Sequence, residues 1–340
     1  MSNRLTYPEF GRDGCDGASS SRGWAGAAAL PVAAQAQQPA IPIVGCLMNL
    51  SQGEADYNLV PFREGLADTG YVEGRNVRIE YRWGEGRNEQ MGVLAADLVS
   101  RHVAVLVVPG GATGALAAKR LTTTIPIVFL TGGDAVELGL VASLSKPESN
   151  LTGVSGVSNT LVTKQLGLLG EFVPKSAPFA LLTNPLSPNA KTLVANTQAA
   201  AKSISRDLQV VNASNANELD SAFAQLADHH VGGLIVPQNS FFIQQRDRIA
   251  TLAVRYRIPT IYDARVSVVA GGLMSYGINY SDTFRQLGVY TGKVLHGTKP
   301  SDLPVSQPSK FEFVINVKAA KALGLEVPTT MQLLADEVIE

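Results

Sequence analysis

The strongest constraint on the fold is a regular alternation between short apolar runs and longer segments with helical spacing. From residue 41 onward, runs rich in Val, Ile and Leu are each followed by an amphipathic segment. A fully apolar run suits a strand that is buried on both faces, and a helix between two such strands joins them in parallel. The alternation therefore predicts an α/β fold with mainly parallel sheets.

Two series of this kind follow one another along the chain. The first predicts strands over 41–47, 77–81, 103–108 and 125–130, with helices over 56–70, 91–101 and 115–121. The second predicts strands over 179–183, 208–211, 233–236 and 260–262, with helices over 160–172, 190–205, 218–227 and 244–256. Because each series can form a sheet covered by helices on both faces, we expect two doubly wound lobes.

Composition argues against several other classes of protein. The 340 residues are 45% hydrophobic, which is enough apolar material for two cores of ordinary domain size. The formal net charge is −1 and Lys and Arg form no run, so we do not expect a nucleic-acid partner. We expect no metal, cofactor or disulfide framework, because no suitable spacing links Cys15, Cys46, His102, His229, His230 and His296.

Motifs for catalysis are also missing from the sequence. The pairs Gly110-Gly111 and Gly132-Gly133 lack the spacing of a dinucleotide fingerprint and the Lys of a phosphate-binding loop. Residues 153–156 miss the spacing of a nucleophile elbow. We therefore expect a protein that is not an enzyme.

Polar loops follow the predicted strands at their carboxyl ends. Ligands of open parallel sheets bind at this edge, where loops diverge and helix N-termini present free N–H groups. These loops are rich in Gly, Ser, Thr and Asn, and the first of them contains Asn49. If the two lobes face one another, both rims line one cleft, and their composition suits a site that holds a ligand without converting it.

Several strings resemble the ABC transporter substrate-binding family that includes tryptophan- and tyrosine-type binding proteins. They are FREGL at 62–66, GYVEGRNV at 70–77, IEYRW at 79–83, AGGLMSYG at 270–277, KFEFVIN at 310–316 and KALGL at 321–325. The resemblance covers residues 40 to 340, and the combination of motifs is specific although each one alone is weak.

The resemblance implies a type I periplasmic-binding-protein fold, with two lobes joined by crossover strands and a ligand cleft between them. It places the crossovers over 151–157, 273–278 and 304–314. The first lobe would then comprise 41–154 and 277–305, and the second 155–276 and 306–340. Such hinges absorb backbone rotation and allow the lobes to close on a ligand.

The implied function is that of the extracytoplasmic solute-binding component of an ABC importer, a monomer that works with membrane permease and ATPase subunits. An aromatic or branched amino acid is the first expectation for the ligand, and a small aromatic carboxylate is the second. A ligand-sensing regulator on the same fold is the alternative, although residues 1–40 are too few for a helix-turn-helix domain of about sixty residues.

In the first lobe, the resemblance points to the loops after the third and fourth strands as the grip on a ligand carboxylate. The candidates are Ala112, Thr113, Thr131 and Asp134. The glycines beside them could instead only make tight turns. Asp134 could pair with a ligand ammonium or cap a helix that begins near Val136.

In the second lobe, the candidates are Asn184, Asn239, Phe241, Asp263 and Ser275. Asn184 could bind a polar ligand through its amide or form an Asx turn. We expect Phe241 to stack on a planar ligand while Phe242 packs inward, with both rings in the core as the alternative. Asp263 is the best candidate for a carboxylate that binds a cationic group.

The first forty residues predict an export leader and a periplasmic location. Residues 22–37 contain a basic residue, a short apolar run and small residues at Ala34 and Ala36, so cleavage after Ala36 is expected. The segment before them carries Glu9, Asp13 and Asp16, which a signal's leading region does not normally contain. The twin arginines common in the family are missing there, and a cytoplasmic flexible tail is the alternative.

Overall fold

The first predicted series forms one parallel sheet. The computed structural model describes residues 41–156 and 158–340, so the predicted leader and its cleavage position lie outside the described residues. The elements are β1 (Ile43–Met48), α1 (Gln52–Ala67), β2 (Arg78–Trp83), α2 (Met91–Ser100), β3 (Val105–Val108), α3 (Ala112–Leu121), β4 (Ile127–Thr131) and β5 (Leu151–Ser155). Within the described residues the strand order is β2-β1-β3-β4-β5, and every neighbouring pair is parallel.

The second series forms a larger sheet. Its region contains α4 (Ser158–Gly170), β6 (Phe179–Thr183), α5 (Ala190–Ser203), β7 (Leu208–Asn212), α6 (Ala216–Asp228), β8 (Gly233–Val236), α7 (Ser240–Gln244), α8 (Arg246–Tyr256), β9 (Thr260–Tyr262), α9 (Arg265–Val269), β10 (Met274–Ile278), α10 (Tyr280–Leu295), β11 (Phe311–Asn316), α11 (Val317–Leu323), α12 (Thr329–Leu334) and β12 (Glu337–Ile339). In the described residues the strand order is β12-β11-β10-β9-β8-β6-β7. Only β10 and β11 pair antiparallel there.

The central strands of both sheets are buried on both faces. Along β6, Phe179 and Leu181 belong to one apolar cluster, whereas Ala180 and Leu182 belong to the cluster on the opposite face. Side chains of a strand alternate between faces, so a continuous apolar run supplies both cores at once. The predicted α/β class with mainly parallel sheets is confirmed.

Helix α10 returns to the first sheet from the second and packs against α1. The two helices approach closely at glycines, because a Cβ on Gly65 would lie 1.9 Å from the Arg285 carbonyl oxygen and one on Gly288 would lie 2.1 Å from the Phe62 carbonyl oxygen. We call the first sheet with α1–α3 and α10 the first lobe, and the second sheet with α4–α9, α11 and α12 the second lobe.

The chain passes between the two sheets after β5, after β10 and before β11. The third passage begins beside β5, where the Ser155 N–H donates to the Ser306 carbonyl and the Ser306 N–H donates to the Gly153 carbonyl, each at 2.9 Å. A rotation of one lobe against the other must therefore be absorbed by these connections. The lobe boundaries derived from the resemblance stay a prediction.

Several predicted helix boundaries were wrong, and local chemistry explains the differences. Helix α1 begins at Gln52 instead of residue 56, because Ser51 and Glu54 form a capping box. Helix α3 begins at Ala112 instead of residue 115, directly after Gly111 at φ 93°. The helix predicted over 244–256 is α8 and begins two residues later, whereas α7 occupies residues that were expected to form a loop, and the helix predicted near Val136 is a turn.

Candidate functional site

The carboxyl ends of the strands in both lobes surround a cleft with two adjoining compartments. The helix-terminus compartment contains the start of α3 and is lined by Met48, Asn49, Leu50, Tyr57, Asn58, Asn88, Pro109, Gly110, Gly111, Ala112, Thr113, Leu130, Thr131, Ile243, Phe284 and neighbours. The carboxylate compartment contains Asp263 and is lined by Gly156, Leu161, Val162, Gln165, Thr183, Asn184, Ala190, Leu193, Ile235, Pro237, Phe242, Tyr280 and neighbours. Both include Gly132, Ser187, Asn189, Gln238, Asn239 and Ile278.

The helix-terminus compartment suits a negatively charged group. Ala112 and Thr113 line it as the first residues of α3, whose N-cap is Gly111 and carries no capping side chain. The first N–H groups of a helix have no partner within it, and the helix dipole places partial positive charge there. An anionic group such as a carboxylate would be stabilised at this end.

Asn49 and Thr131 line the same compartment and are both buried. The Asn49 Nδ2 donates to Asn88 Oδ1 at 2.8 Å, whereas its Oδ1 has no hydrogen-bond partner among the described residues. Thr131 Oγ1 accepts from the Gly133 N–H at 3.2 Å. Both side chains therefore line the cleft, and Asn49 Oδ1 is left as a hydrogen-bond acceptor without a partner among the described residues.

Asp134 does not line either compartment. Its Oδ1 accepts from the N–H groups of Val136, at 2.7 Å, and Glu137, at 3.1 Å. The carboxylate is therefore used to hold the turn that follows it, which corresponds to the capping alternative.

Asp263 lies in the carboxylate compartment and is partly exposed. Its Oδ1 accepts from Gln165 Nε2 at 2.5 Å, and its Oδ2 accepts from the Gln238 N–H at 3.0 Å. Burial raises the pKa of this carboxyl, and the two hydrogen bonds oppose that effect. No ion pair with a described residue compensates the charge, and Asp263 is the only charged side chain among the described residues that line the two compartments.

Gln165 is a site residue that the sequence analysis missed. Its side chain is fully buried, and Nε2 donates to both Asp263 Oδ1 and, at 2.8 Å, the Tyr276 carbonyl. Since an ionised carboxylate and a carbonyl are both acceptors, the amide orientation is fixed, and Oε1 is left without a partner among the described residues. The sequence does contain an indication of its role, since Gln165 is a polar residue at a position of helical spacing between Val162 and Leu169, on the buried face of α4.

Asn184 and Asn239 line the carboxylate compartment, and their amides are largely engaged with the protein. Asn184 Oδ1 accepts from the Leu186 N–H at 3.0 Å, as in the predicted alternative of an Asx turn. Asn239 Oδ1 accepts from the Phe241 N–H at 3.0 Å and caps α7, while its Nδ2 donates to Ser187 Oγ at 2.8 Å. These side chains shape the rim through bonds within the second lobe.

The two phenyl rings match the alternative in which both lie in the core. Phe242 packs inward as expected, because it is buried within an apolar cluster of the second lobe, although it also lines the carboxylate compartment. Phe241 lines neither compartment and packs, partly buried, against the same cluster. Since α7 begins directly after the Asn239 cap, successive side chains turn about a helix axis instead of alternating across a strand.

Ser275 does not line the cleft either. It is buried in the middle of β10, opposite Tyr262 of β9 and Val314 of β11. Strand β10 continues to Ile278, so the residues that reach the cleft are Ile278 and Tyr280. Burial raises the pKa of the Tyr280 hydroxyl well above its ordinary value.

The part of the chain that the structure describes contains neither a membrane-spanning helix nor a cluster of metal-binding side chains. No helix in residues 41–156 and 158–340 has the length and apolar character needed to cross a bilayer. Over the same residues, no cluster of His, Cys, Asp and Glu side chains could hold a metal ion.

Comparison with known proteins identifies relatives of this chain in sequence and in structure. The chain is 28% identical over 265 residues to a tyrosine-binding protein of Clostridioides difficile strain R20291, which covers 78% of this chain and 76% of that protein. It is similar to an ABC domain from Streptococcus pneumonia in complex with L-Trp, with a TM-score of 0.78, 26% identity, and coverage of 87% of this chain and 100% of the other.

A third relative was solved without a ligand. The open structure of a substrate-binding protein with adhesive properties from Clostridium difficile has a TM-score of 0.65 at 25% identity, and covers 88% of this chain and 99% of that one. This chain is therefore more similar in shape to the complex with L-Trp than to the open protein. The family model described as ABC transporter substrate binding protein matches residues 44–339. The predicted family is confirmed, and the chain belongs to the ABC transporter substrate-binding proteins.

Proposed function

We propose that this protein is the extracytoplasmic solute-capturing component of an ABC importer and that its ligand is a free amino acid, bound without chemical conversion. The observation that carries the choice of ligand is Asp263, a carboxylate at the cleft without a cationic partner among the described residues. A partly buried charge is costly to leave without an opposite charge, so an ammonium group from the ligand would compensate it.

The two compartments complement the two charges of an amino acid. The α-carboxylate is placed at the N-terminus of α3, near Ala112 and Thr113. The α-ammonium is placed at Asp263, with the free Oε1 of Gln165 as a second acceptor. An ammonium has three N–H donors and can satisfy both groups at once.

The walls of the carboxylate compartment suit a ligand with an apolar side chain. Leu161, Val162, Leu193, Ile235 and Phe242 contribute to them. Pockets of this kind gain most of their binding free energy from apolar contact, while a few polar groups fix orientation. An aromatic or branched amino acid is therefore favoured, and the L-Trp complex and the tyrosine-binding relative agree with this choice.

The ligand class can be tested by thermal unfolding and calorimetry with matched pairs of compounds. L-tryptophan, L-tyrosine and L-leucine are compared with the same molecules lacking the amino group, and with benzoate. At a ligand concentration about 100 times the dissociation constant, binding adds about 2.7 kcal/mol to the free energy of unfolding. Amino acids should stabilise the protein and the deaminated compounds should not. Stabilisation by the deaminated compounds or benzoate alone would instead favour a carboxylate ligand.

Substitution of Asp263 tests the same proposal at the site. Asp263→Asn keeps the size of the side chain but removes the charge, so we expect amino-acid affinity to fall at least about tenfold, or about 1.4 kcal/mol. Asp134→Asn is the matched control, because Asp134 holds a turn outside both compartments. Equal effects of the two substitutions would contradict the assignment.

The cellular role has its own test. The importer role requires export and membrane permease and ATPase partners, and we expect the capturing protein to be a monomer. Fractionation of cells that express the full chain should recover the mature protein outside the cytoplasm. Protein that is found only in the cytoplasm would overturn this part of the proposal and would favour a ligand-sensing regulator.

A further inference from the structure

An ion pair between Glu54 and Arg246 joins the two lobes at the edge of the cleft. Arg246 Nη1, at the start of α8 in the second lobe, lies 3.1 Å from Glu54 Oε1, in the first turn of α1 in the first lobe. The side chains are only 23% and 17% exposed. Neither residue lines the compartments of the cleft. Partial burial reduces the screening that weakens ion pairs at the surface.

Both partners are held in place by further bonds within their own lobes. Glu54 uses Oε2 for the capping box, where it accepts from the Ser51 N–H at 3.3 Å and from Ser51 Oγ at 2.7 Å, which leaves Oε1 for Arg246. Arg246 Nη1 also donates to the Ile243 carbonyl at 2.8 Å. Side chains that are already ordered lose less conformational entropy when they pair.

A second contact brings the lobes together at the same edge. A Cβ on Gly86 of the first lobe would lie 2.3 Å from the side-chain oxygen of Gln244, which is two residues before Arg246. Gly86 has φ +75°, and its N–H donates at 2.8 Å to the carbonyl of Asn49, in the loop that leads into α1. Ile243 packs in the apolar cluster that includes Met48 and Phe284 of the first lobe.

We propose that Glu54 and Arg246 determine ligand affinity without touching the ligand, because their ion pair stabilises the closed arrangement of the lobes. The proposal rests on the proposed capture of a ligand in the cleft. When only the closed arrangement binds tightly, the apparent dissociation constant is the intrinsic value divided by the closed fraction. Removal of the pair lowers the closed fraction and weakens binding.

The test compares Glu54→Gln, Arg246→Gln, the double variant and the control Arg248→Gln. Glutamine at position 54 can still complete the capping box, so α1 keeps its N-terminal cap. Arg248 is on the same helix and pairs with Asp220, but this pair is more exposed and lies within the second lobe. Two measurements are made on each protein: the distance between spin labels on the two lobes without ligand, and calorimetric affinity for L-tryptophan.

Each single variant should shift the interlobe distances toward longer values and weaken L-tryptophan binding about three- to tenfold. The double variant should lose no more than either single variant, since one interaction is removed in all three. Increasing salt should weaken binding by the wild-type protein more than by the double variant.

Distances and affinity that do not change in the single variants would overturn the proposal. Losses of affinity in the two single variants that add up in the double variant would also overturn it. An equal loss of affinity in Arg248→Gln would do the same. If the wild-type protein binds no amino acid at all, the proposed ligand class fails. The distances measured without ligand then still decide whether the pair holds the lobes together.

Discussion

At the residue scale, Asp263 shows how a binding site can reduce the stability of the protein that contains it. Burial raises the pKa of its carboxyl, which means that the folded protein disfavours the ionised form. Its hydrogen bonds from Gln165 and Gln238 come from uncharged donors. The ionised group is thus tolerated without a ligand and becomes favourable when a cationic group arrives.

The raised pKa of Asp263 leads to opposite effects of pH on the stability of the protein and on its affinity for an amino acid. Because the pKa of Asp263 is higher in the folded than in the unfolded protein, its contribution to the free energy of unfolding is largest below the ordinary Asp pKa. That contribution is lost as pH rises through the raised folded value. Relative to Asp263→Asn, the ligand-free wild-type protein should become more stable as pH falls from neutral, as measured by urea unfolding.

Amino-acid affinity should change in the other direction, since an ammonium requires the ionised carboxylate. Calorimetry over the same pH range should show weaker binding as Asp263 is protonated, and Asp263→Asn should lack that dependence. A stability difference that grows in favour of the wild-type protein as pH rises would contradict the raised pKa.

Several candidate residues that directly follow a strand do line the cleft, and their contact with a ligand stays a prediction. Asn49, Ala112 and Thr131 line the cleft because the carboxyl ends of parallel strands meet at one edge. Ser275 was misplaced because it lies inside β10, where it is buried between β9 and β11, and not in the segment after the strand. Gln165 was missed although it is a polar residue at a position of helical spacing on the buried face of α4, because that spacing alone does not show which buried position lines a cavity.

At the element scale, the contact between α1 and α10 depends on two glycines. Gly65→Ala would place a methyl group 1.9 Å from the Arg285 carbonyl oxygen, so the helices would have to separate. We expect a loss of about 1–3 kcal/mol in the free energy of unfolding, the usual cost of overpacking. Chemical denaturation measures this change.

Gly53 provides the matched control on the same helix. It has open space around the position of a Cβ, and alanine favours a helix over glycine by about 0.8–1.0 kcal/mol. Gly53→Ala should therefore be neutral or stabilising. Destabilisation by both substitutions would indicate that the helix itself, and not its packing, is sensitive to change.

Periodicity predicted the existence of most elements better than their ends. The buried face of α1 contains Leu59, Phe62 and Leu66, as the spacing indicates. The start of α1 was set by a capping box, and α7 begins after the Asn239 cap, within residues that were expected to form a loop. Local hydrogen bonds decide these boundaries, and they leave little trace in the apolar pattern.

At the scale of the whole molecule, Cys46 reports on unfolding of the first lobe. It is fully buried in β1, and burial raises the pKa of its thiol to about 12. The thiolate is the reactive form, so labelling requires that the lobe open. In a Cys15→Ser variant, labelling of Cys46 should be slow in native buffer and fast in denaturant.

A ligand that bridges both lobes should slow this reaction further. At about 100 times the dissociation constant, the unfolded fraction and the labelling rate should fall about a hundredfold. Asp263→Asn, compared at the same ligand concentration, should show a smaller reduction. A labelling rate that ligand does not affect would indicate local fluctuation around β1 instead of unfolding of the lobe.

The return of α10 to α1 also has a consequence for the order in which the protein can fold during synthesis. The ribosome makes the chain from its amino end, so α1 emerges long before its partner, which begins at Tyr280. Until then the apolar surface of α1 that α10 covers stays open to solvent and to chaperones. The first lobe cannot be completed until the second lobe has been almost fully translated.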